Sequence, residues 1–219
     1  MDFDFINSNI PLYLEAAKLT IYIAAWGISL AFLLGLVVGI IRHLRIPVLT
    51  QLVGGYIELS RNTPLLIQLF FLYFGLPKLG IILSSEVCAV LGLTFLGGSY
   101  FAEAIRSGLE NIPLIQTESA LSLGMNRRQI LFSITLPQAF SNSIPAICSN
   151  IIFLIKETSV FSAVALADLM FVTKDLIGIY YKTDEALFML VVAYLIILLP
   201  VSIIGTLIER RIRYGEYGN

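Results

Sequence analysis

Charge is what this 219-residue sequence has least of. Asp, Glu, Lys and Arg make up 13% of it, against 58% hydrophobic residues. A soluble domain carries about 25% charged residues, so the composition excludes an ordinary water-facing surface and points to an integral membrane protein. The mean hydropathy of +0.88 agrees. A net charge of -1 supplies no basic field, which sets nucleic acid aside as a partner. One histidine and two cysteines cannot assemble a zinc, haem or iron–sulfur site, so no cofactor is expected in this chain. Cys88 and Cys148 sit in separate apolar runs and read as small core residues, not as a disulfide. The pattern G-x-x-x-x-G-K-[ST] is missing, which excludes a P-loop and with it ATP hydrolysis of that kind by this chain.

Positive charge is also missing at the start. Asp2, Asp4 and Glu15 stand where a signal peptide would be basic, and the apolar run that follows is too long for a cleaved segment. It is expected to be a first membrane helix.

What is present is a series of apolar stretches near the roughly 20 residues needed to cross a bilayer core. The expected fold class is all-α integral membrane, with five transmembrane helices over residues 19–41, 52–75, 86–105, 138–155 and 186–208. Pro64 falls within the second and should bend or restart it. Pro145 and Pro200 lie in the fourth and fifth. Residues 160–171 are apolar but too short to span, and are expected to be re-entrant or to lie against the outer half of the bundle. Gly35 and Gly39 form a small-xxx-small pair that would allow close helix contact. Phe70, Phe71, Tyr73 and Phe74 read as a lipid-facing and interfacial belt.

An odd number of crossings puts the termini on opposite sides. One side collects Arg42, Arg45, Arg106, Arg127, Arg128, Arg210, Arg211 and Arg213, the other Lys18, Lys78, Lys156, Lys174 and Lys182. The arginine-bearing side is therefore expected to be cytoplasmic, with the N-terminus outside and the C-terminus inside.

Between the third and fourth stretches lies "TESALSLGMNRRQILFSITLP", residues 117–137. Pro113 should open a short helix and Gly124 should break it. Leu121 and Met125, four apart, are expected to share a face with Glu118. Two readings are open: an interfacial helix that only joins two crossings, or a docking helix for a cytoplasmic partner.

The spacing there resembles the E-A-A-x-x-x-G-x(9)-I-x-L-P pattern of permease subunits of binding-protein-dependent ABC importers. This chain has Glu118-Ser119-Ala120, three residues, Gly124, nine residues and then Ile134-Thr135-Leu136-Pro137, with Ser119 in place of alanine. "RNTPLLIQLFFLYFGLP" at 61–77, "SYFAEAIRSGLENIP" at 99–113 and "IIFLIKETSVFS" at 151–162 are similar to stretches of the polar amino-acid permeases in the same order. The tail "IERRI" is similar to their common ending.

The resemblance implies a type I ABC importer permease fold with a cytoplasmic coupling helix at about 113–136. Glu118, Ser119, Ala120, Gly124, Met125 and Arg127 would meet a separate ABC ATPase subunit dimer that holds ATP and Mg. The pore would be completed by a second permease subunit, the same chain or a sister. An extracytoplasmic solute-binding protein would deliver an amino-acid substrate, and the location would be the bacterial cytoplasmic (inner) membrane. Tyr100 and Glu103 match the family's A-Y-x-x-E segment, whose carboxylate borders the translocation path.

The charges near the membrane also have plainer readings. Glu103 can pair with Arg106 at i,i+3. Asp168 can be a solvated loop carboxylate or a pathway acid for the substrate's ammonium. Lys156 and Glu157 are expected to neutralise each other. Thr158 and Ser159 offer hydroxyls suited to weak, reversible binding of a zwitterion. The rivals to an ATP-driven importer are a secondary transporter or channel subunit, and a membrane anchor with no transport role.

Overall fold

The structure, a computed structural model, describes the backbone of residues 1–44 and 46–217 and the side chains of these as far as Ile212. Arg45, expected to help close the first helix, and the side chain of Arg213 in the basic tail lie outside the described residues.

Among the described residues four helical runs are long and apolar enough to cross a membrane: Phe3–Leu44, Ser85–Glu110, Arg127–Val164 and Thr183–Ile212. The first, α1 (Phe3–Leu44), begins sixteen residues before the expected start and is about 63 Å long at ~1.5 Å per residue. Its added turns exist because they have something to bury. Phe5, Ile6, Tyr13 and Ala16 pack against the last two helices of the chain. Pro11 removes one backbone donor there, and in the same turns the side chains of Ser8 and Asn9 donate to the carbonyls of Asp4 and Phe5.

The stretch expected to be a second crossing is where the structure departs most from a continuous helix, and it is not among the four long apolar runs. α2 (Pro47–Asn62) ends at an extended Thr63, and α3 (Leu65–Phe70) restarts behind Pro64. Proline has no N–H and holds the residue before it out of the helical region, so the chain restarts here and does not merely bend. A π turn, Phe71–Gly75, and a 3₁₀ turn, Leu76–Leu79, complete the segment.

α4 (Ser85–Glu110) is the central element and runs five residues past the expected end. Ser84 caps it by accepting the Val87 N–H at 3.3 Å. α1 lies along α4 in parallel, with Gly27 beside Leu93, Gly35 beside Phe101 and Gly39 beside Ile105. The approach is close enough that a Cβ at Gly35 would meet Phe101 Cβ at 2.5 Å, so alanine there would push the two helices apart.

α5 (Leu114–Ser122), α6 (Arg127–Ile130) and a π turn, Leu131–Thr135, lead into α7 (Leu136–Glu157). α7 runs antiparallel to α4, with Ser143 against Gly108 and Leu154 against Gly97. A 3₁₀ turn, Thr158–Val164, follows, and then α8 (Leu169–Tyr180). Residues 160–171, expected to be re-entrant or to lie against the outer half of the bundle, form a turn and the start of a separate helix, with Phe161, Val164 and Leu166 packed against the bundle. α9 (Thr183–Tyr217) returns antiparallel to α7, Gly205 lying beside Cys148. Cys88 and Cys148 are both free thiols.

Helices α1, α4 and α9 thus begin at one end of the molecule. The segment over residues 111–135 joins the opposite ends, from the close of α4 to the start of α7.

Candidate functional site

The break at Pro64 opens a cavity of about 340 Å³, lined by Arg61, Asn62, Thr63, Tyr100, Phe153 and Glu157 with Leu65, Leu96 and Val160. That is the small end of the ~300–1,000 Å³ of ligand pockets. Its frame is hydrogen-bonded. Gln68 Nε2 donates to the carbonyls of Ser60 and Thr63 at 3.1 and 2.9 Å, holding groups that the broken helix leaves without amide partners. Asn150 Nδ2 donates to the Tyr100 carbonyl at 3.1 Å, tying α7 to α4 beside the cavity.

Inside, the Arg61 guanidinium stands 5.2 Å from the centre of the Tyr100 ring, a cation–π arrangement. The Phe153 ring packs 5.0 Å from the same tyrosine. Glu157 faces the same space. Among the described residues neither Arg61 nor Glu157 makes an ion pair. The expected pairing of Lys156 with Glu157 is corrected: adjacent helical residues diverge by about 100°, and Lys156 is exposed while Glu157 turns inward. A cationic group, a carboxylate, a phenol and apolar walls can together hold a small zwitterion.

Of the other residues expected along the path, Glu103 accepts hydrogen bonds from Arg106 Nε and Nη2 at 2.9 and 2.7 Å and a further one from Arg42. Arg106 also reaches Glu110. Asp168 is fully buried, which corrects the solvated-loop reading. Its Oδ1 caps α8 by accepting the Phe171 N–H at 2.9 Å, while Oδ2 has no partner. Burial pushes this carboxyl up to about 6. Thr158 Oγ1 donates to the Ile155 carbonyl at 2.7 Å and lies 3.2 Å from the Tyr194 hydroxyl. Ser159 is half-buried in the turn that follows Glu157. The structure thus brings Tyr100 into the cavity, whereas Glu103, Thr158, Ser159 and Asp168 are not among the residues that line it. Arg61 and Glu157, the two charges inside, were the residues that sequence reasoning missed. For Arg61 the available signal was a charge two residues before Thr63-Pro64 in an apolar run.

The polar segment forms a second site at the other end. α5 closes in a two-bond turn: Met125 N–H donates to the Ala120 carbonyl at 3.1 Å and Gly124 N–H to the Leu121 carbonyl at 2.9 Å. Gly124 sits at φ +79°, the left-handed conformation this turn requires. Asn126 then caps α6 in a reciprocal box with Gln129, at 3.0 and 2.8 Å. Because α5 ends at Ser122, Leu121 and Met125 do not share one helical face, which corrects that expectation. Ala120 is buried, and Glu118, Ser119, Gly124 and Arg127 are exposed. Leu114 and Leu123 are 79% and 82% exposed, so the segment presents apolar side chains and a carboxylate together.

The model of the family described as "Binding-protein-dependent transport system inner membrane component" matches residues 14–214. The chain is 41% identical over 171 residues to a probable glutamine ABC transporter permease protein of Bacillus subtilis, covering 76% of this chain and 78% of that one. It is 30% identical over 217 residues to the arginine transport system permease protein ArtQ of the same organism, covering 99% of each. Among solved structures, a crystal structure of an amino acid ABC transporter with histidines superposes with a TM-score of 0.91 at 28% identity, over 96% of this chain and 99% of that one. An inward-facing methionine ABC transporter superposes at 0.76 with 21% identity, over 92% of this chain and 96% of that one, a likeness of fold.

Proposed function

The chain belongs to the family of inner membrane components of binding-protein-dependent transport systems, and on that premise we propose that it is the permease subunit of an ATP-driven importer for a polar amino acid. The observation that carries this reading is the cavity at the helix break. Arg61 meets the substrate's carboxylate, Glu157 its ammonium, and Tyr100 lies beside both. Leu65, Leu96 and Val160 take the side-chain stem. Glutamine and arginine, named for two of the relatives, share that zwitterionic head. Thr158, Ser159 and Asp168 frame the outer side of the path, and Glu103 frames the inner side.

In this reading residues 1–219 form one permease domain with five crossings, the broken α2–α3 segment counting as one. The N-terminus is outside and the C-terminus cytoplasmic, in a bacterial inner membrane. α5 and Gly124 dock on a separate ATPase dimer, where ATP and magnesium are held. Its closure pulls Glu118, Ser119, Ala120, Met125 and Arg127 with it and turns the cavity outward, towards the solute-binding protein. A second permease subunit completes the pore. The coupling needs two conformations whose balance the ATPase shifts.

The test is uptake by proteoliposomes holding the assembly, after mass spectrometry has identified its subunits and bound small molecule. The wild type should accumulate a labelled polar amino acid only when ATP is supplied. Gly124→Asp places a side chain in a left-handed turn and a charge on the docking face, and uptake should fall more than about tenfold with amino-acid binding retained. Accumulation driven by an ion gradient without ATP would sink the reading.

A further inference from the structure

Tyr181 ends α8 with φ +57°, the left-handed conformation that helix ends usually assign to glycine. Among the described residues only Ala165 shares it without being glycine, and alanine carries no ring. A bulky residue at this φ is an outlier, and burial does not offset it, because Tyr181 is 87% exposed.

The backbone beneath it is fixed. Tyr181 N–H donates to the Ile177 carbonyl at 3.0 Å. The neighbouring Tyr180 ring packs edge-on against Phe5, centroids 5.5 Å apart. Lys182 Nζ is bonded to Asp2 Oδ2 at 3.1 Å, and Glu185 Oε1 accepts the Asp2 N–H at 2.8 Å. Lys182, Asp2 and Glu185 are thereby engaged with one another, and the tip presents the Tyr181 ring outward near the exposed carboxylate of Asp184. It stands at the end where α1 and α9 begin, opposite the coupling segment. A tyrosine in an interfacial belt needs no left-handed backbone, since any position in the last turn reaches the headgroups.

We propose that Tyr181, supported by Tyr180, is a docking contact for the solute-binding protein, an inference that rests on the importer reading and says where that partner lands. The family's dependence on a binding protein identifies the class of partner. Delivery into the cavity from the end opposite α5 identifies the face. An exposed tyrosine on a fixed backbone is the kind of group that anchors protein interfaces, since a tyrosine has few side-chain torsions to immobilise on docking.

The experiment uses the complete transporter in proteoliposomes and a purified solute-binding protein selected because it stimulates ATP hydrolysis by the wild type. Tyr181→Gly relieves the left-handed backbone, so the variant should melt no lower than wild type and keep its basal hydrolysis. It should nonetheless need about tenfold more binding protein for half-maximal stimulation. Tyr181→Phe, which keeps the ring, should stay within about threefold of wild type. An unchanged half-maximal concentration in Tyr181→Gly overturns the proposal in favour of a lipid-interface anchor. Separation of the permease subunits on sizing overturns it in favour of a contact with a second copy. If no solute-binding protein stimulates the wild type, the importer reading falls first and takes the proposal with it.

Discussion

At the close of α4, Glu103 accepts from Arg42 and Arg106, and Arg106 goes on to Glu110. Three residues earlier on the same helix, Tyr100 shares a cavity with Arg61 and Glu157, and neither of those charges has an ion-pair partner among the described residues. Both places put ionisable groups into a chain that has few. In the first, carboxylates and guanidiniums satisfy one another inside the fold, so the cluster ties α1 to α4. In the second, opposite charges are held near each other without joining, which is favourable only where water or a ligand completes them. Self-neutralised charge therefore reads as architecture, and charge left open as recognition.

The strongest way to break that contrast is to remove the open charges. Arg61→Gln and Glu157→Gln should each lower amino-acid uptake about 30-fold or more, since a truncated charge contact commonly costs ~2 kcal/mol or above. Thermal unfolding in detergent should hardly move, because neither substitution leaves a protein charge without its partner. Melting points that fall by several degrees while uptake persists would make these charges structural and erase the distinction.

Glu103→Gln should do the reverse. It leaves Arg42 without its counter-charge and Arg106 with Glu110 alone, and a partly exposed network of this kind is worth about 1–2 kcal/mol after solvent screening. The melting point should drop by a few degrees, and adding Arg42→Gln should recover part of the loss. Additive losses in the double variant would show that the two side chains do not act as a unit.

The smallest effect is expected at Asp168, which is closed in like the first cluster yet has an unpaired oxygen like the second. Its folded pKa of about 6 lies above the ordinary carboxylate value, so the folded state holds the proton more tightly than the unfolded chain. Stability should be greatest below about pH 4, decline as pH rises to about 6, and then level off. An asparagine at this position would keep the cap while removing the titration. Asp168→Asn should therefore match wild type at low pH and melt about 1–3 °C higher at pH 7.5. An unchanged pH slope in the variant would assign it to other groups.

Much of this molecule was legible from one dimension. Crossing segments are announced by length and hydropathy, because a bilayer core demands a minimum run of apolar helix. The break after α5 is announced by Gly124, because capping and left-handed turns are decided within a few residues. Pro64 announced a break for the same local reason. The extra turns of α1 were hidden, since their apolar face is stabilised by α8 and α9, about 160 residues away. The cavity charges were hidden too. Arg61 falls inside the stretch expected as the second crossing, and Glu157 looked neutralised by its neighbour, although adjacent helical positions point apart.

By itself, then, the sequence determined the membrane class, the four long apolar helices, the interruption at Pro64 and the turn chemistry around Gly124, all of which follow from bilayer thickness and from backbone sterics acting over a few residues. Only the tertiary structure decided that Arg61, Tyr100 and Glu157 share one space, that Glu103 belongs to a charge cluster, and that Asp168 is sealed from water. Those outcomes depend on how α2, α4, α7 and α8 pack together, and the free energy of a charge is set by what surrounds it in space, not by its neighbours along the chain.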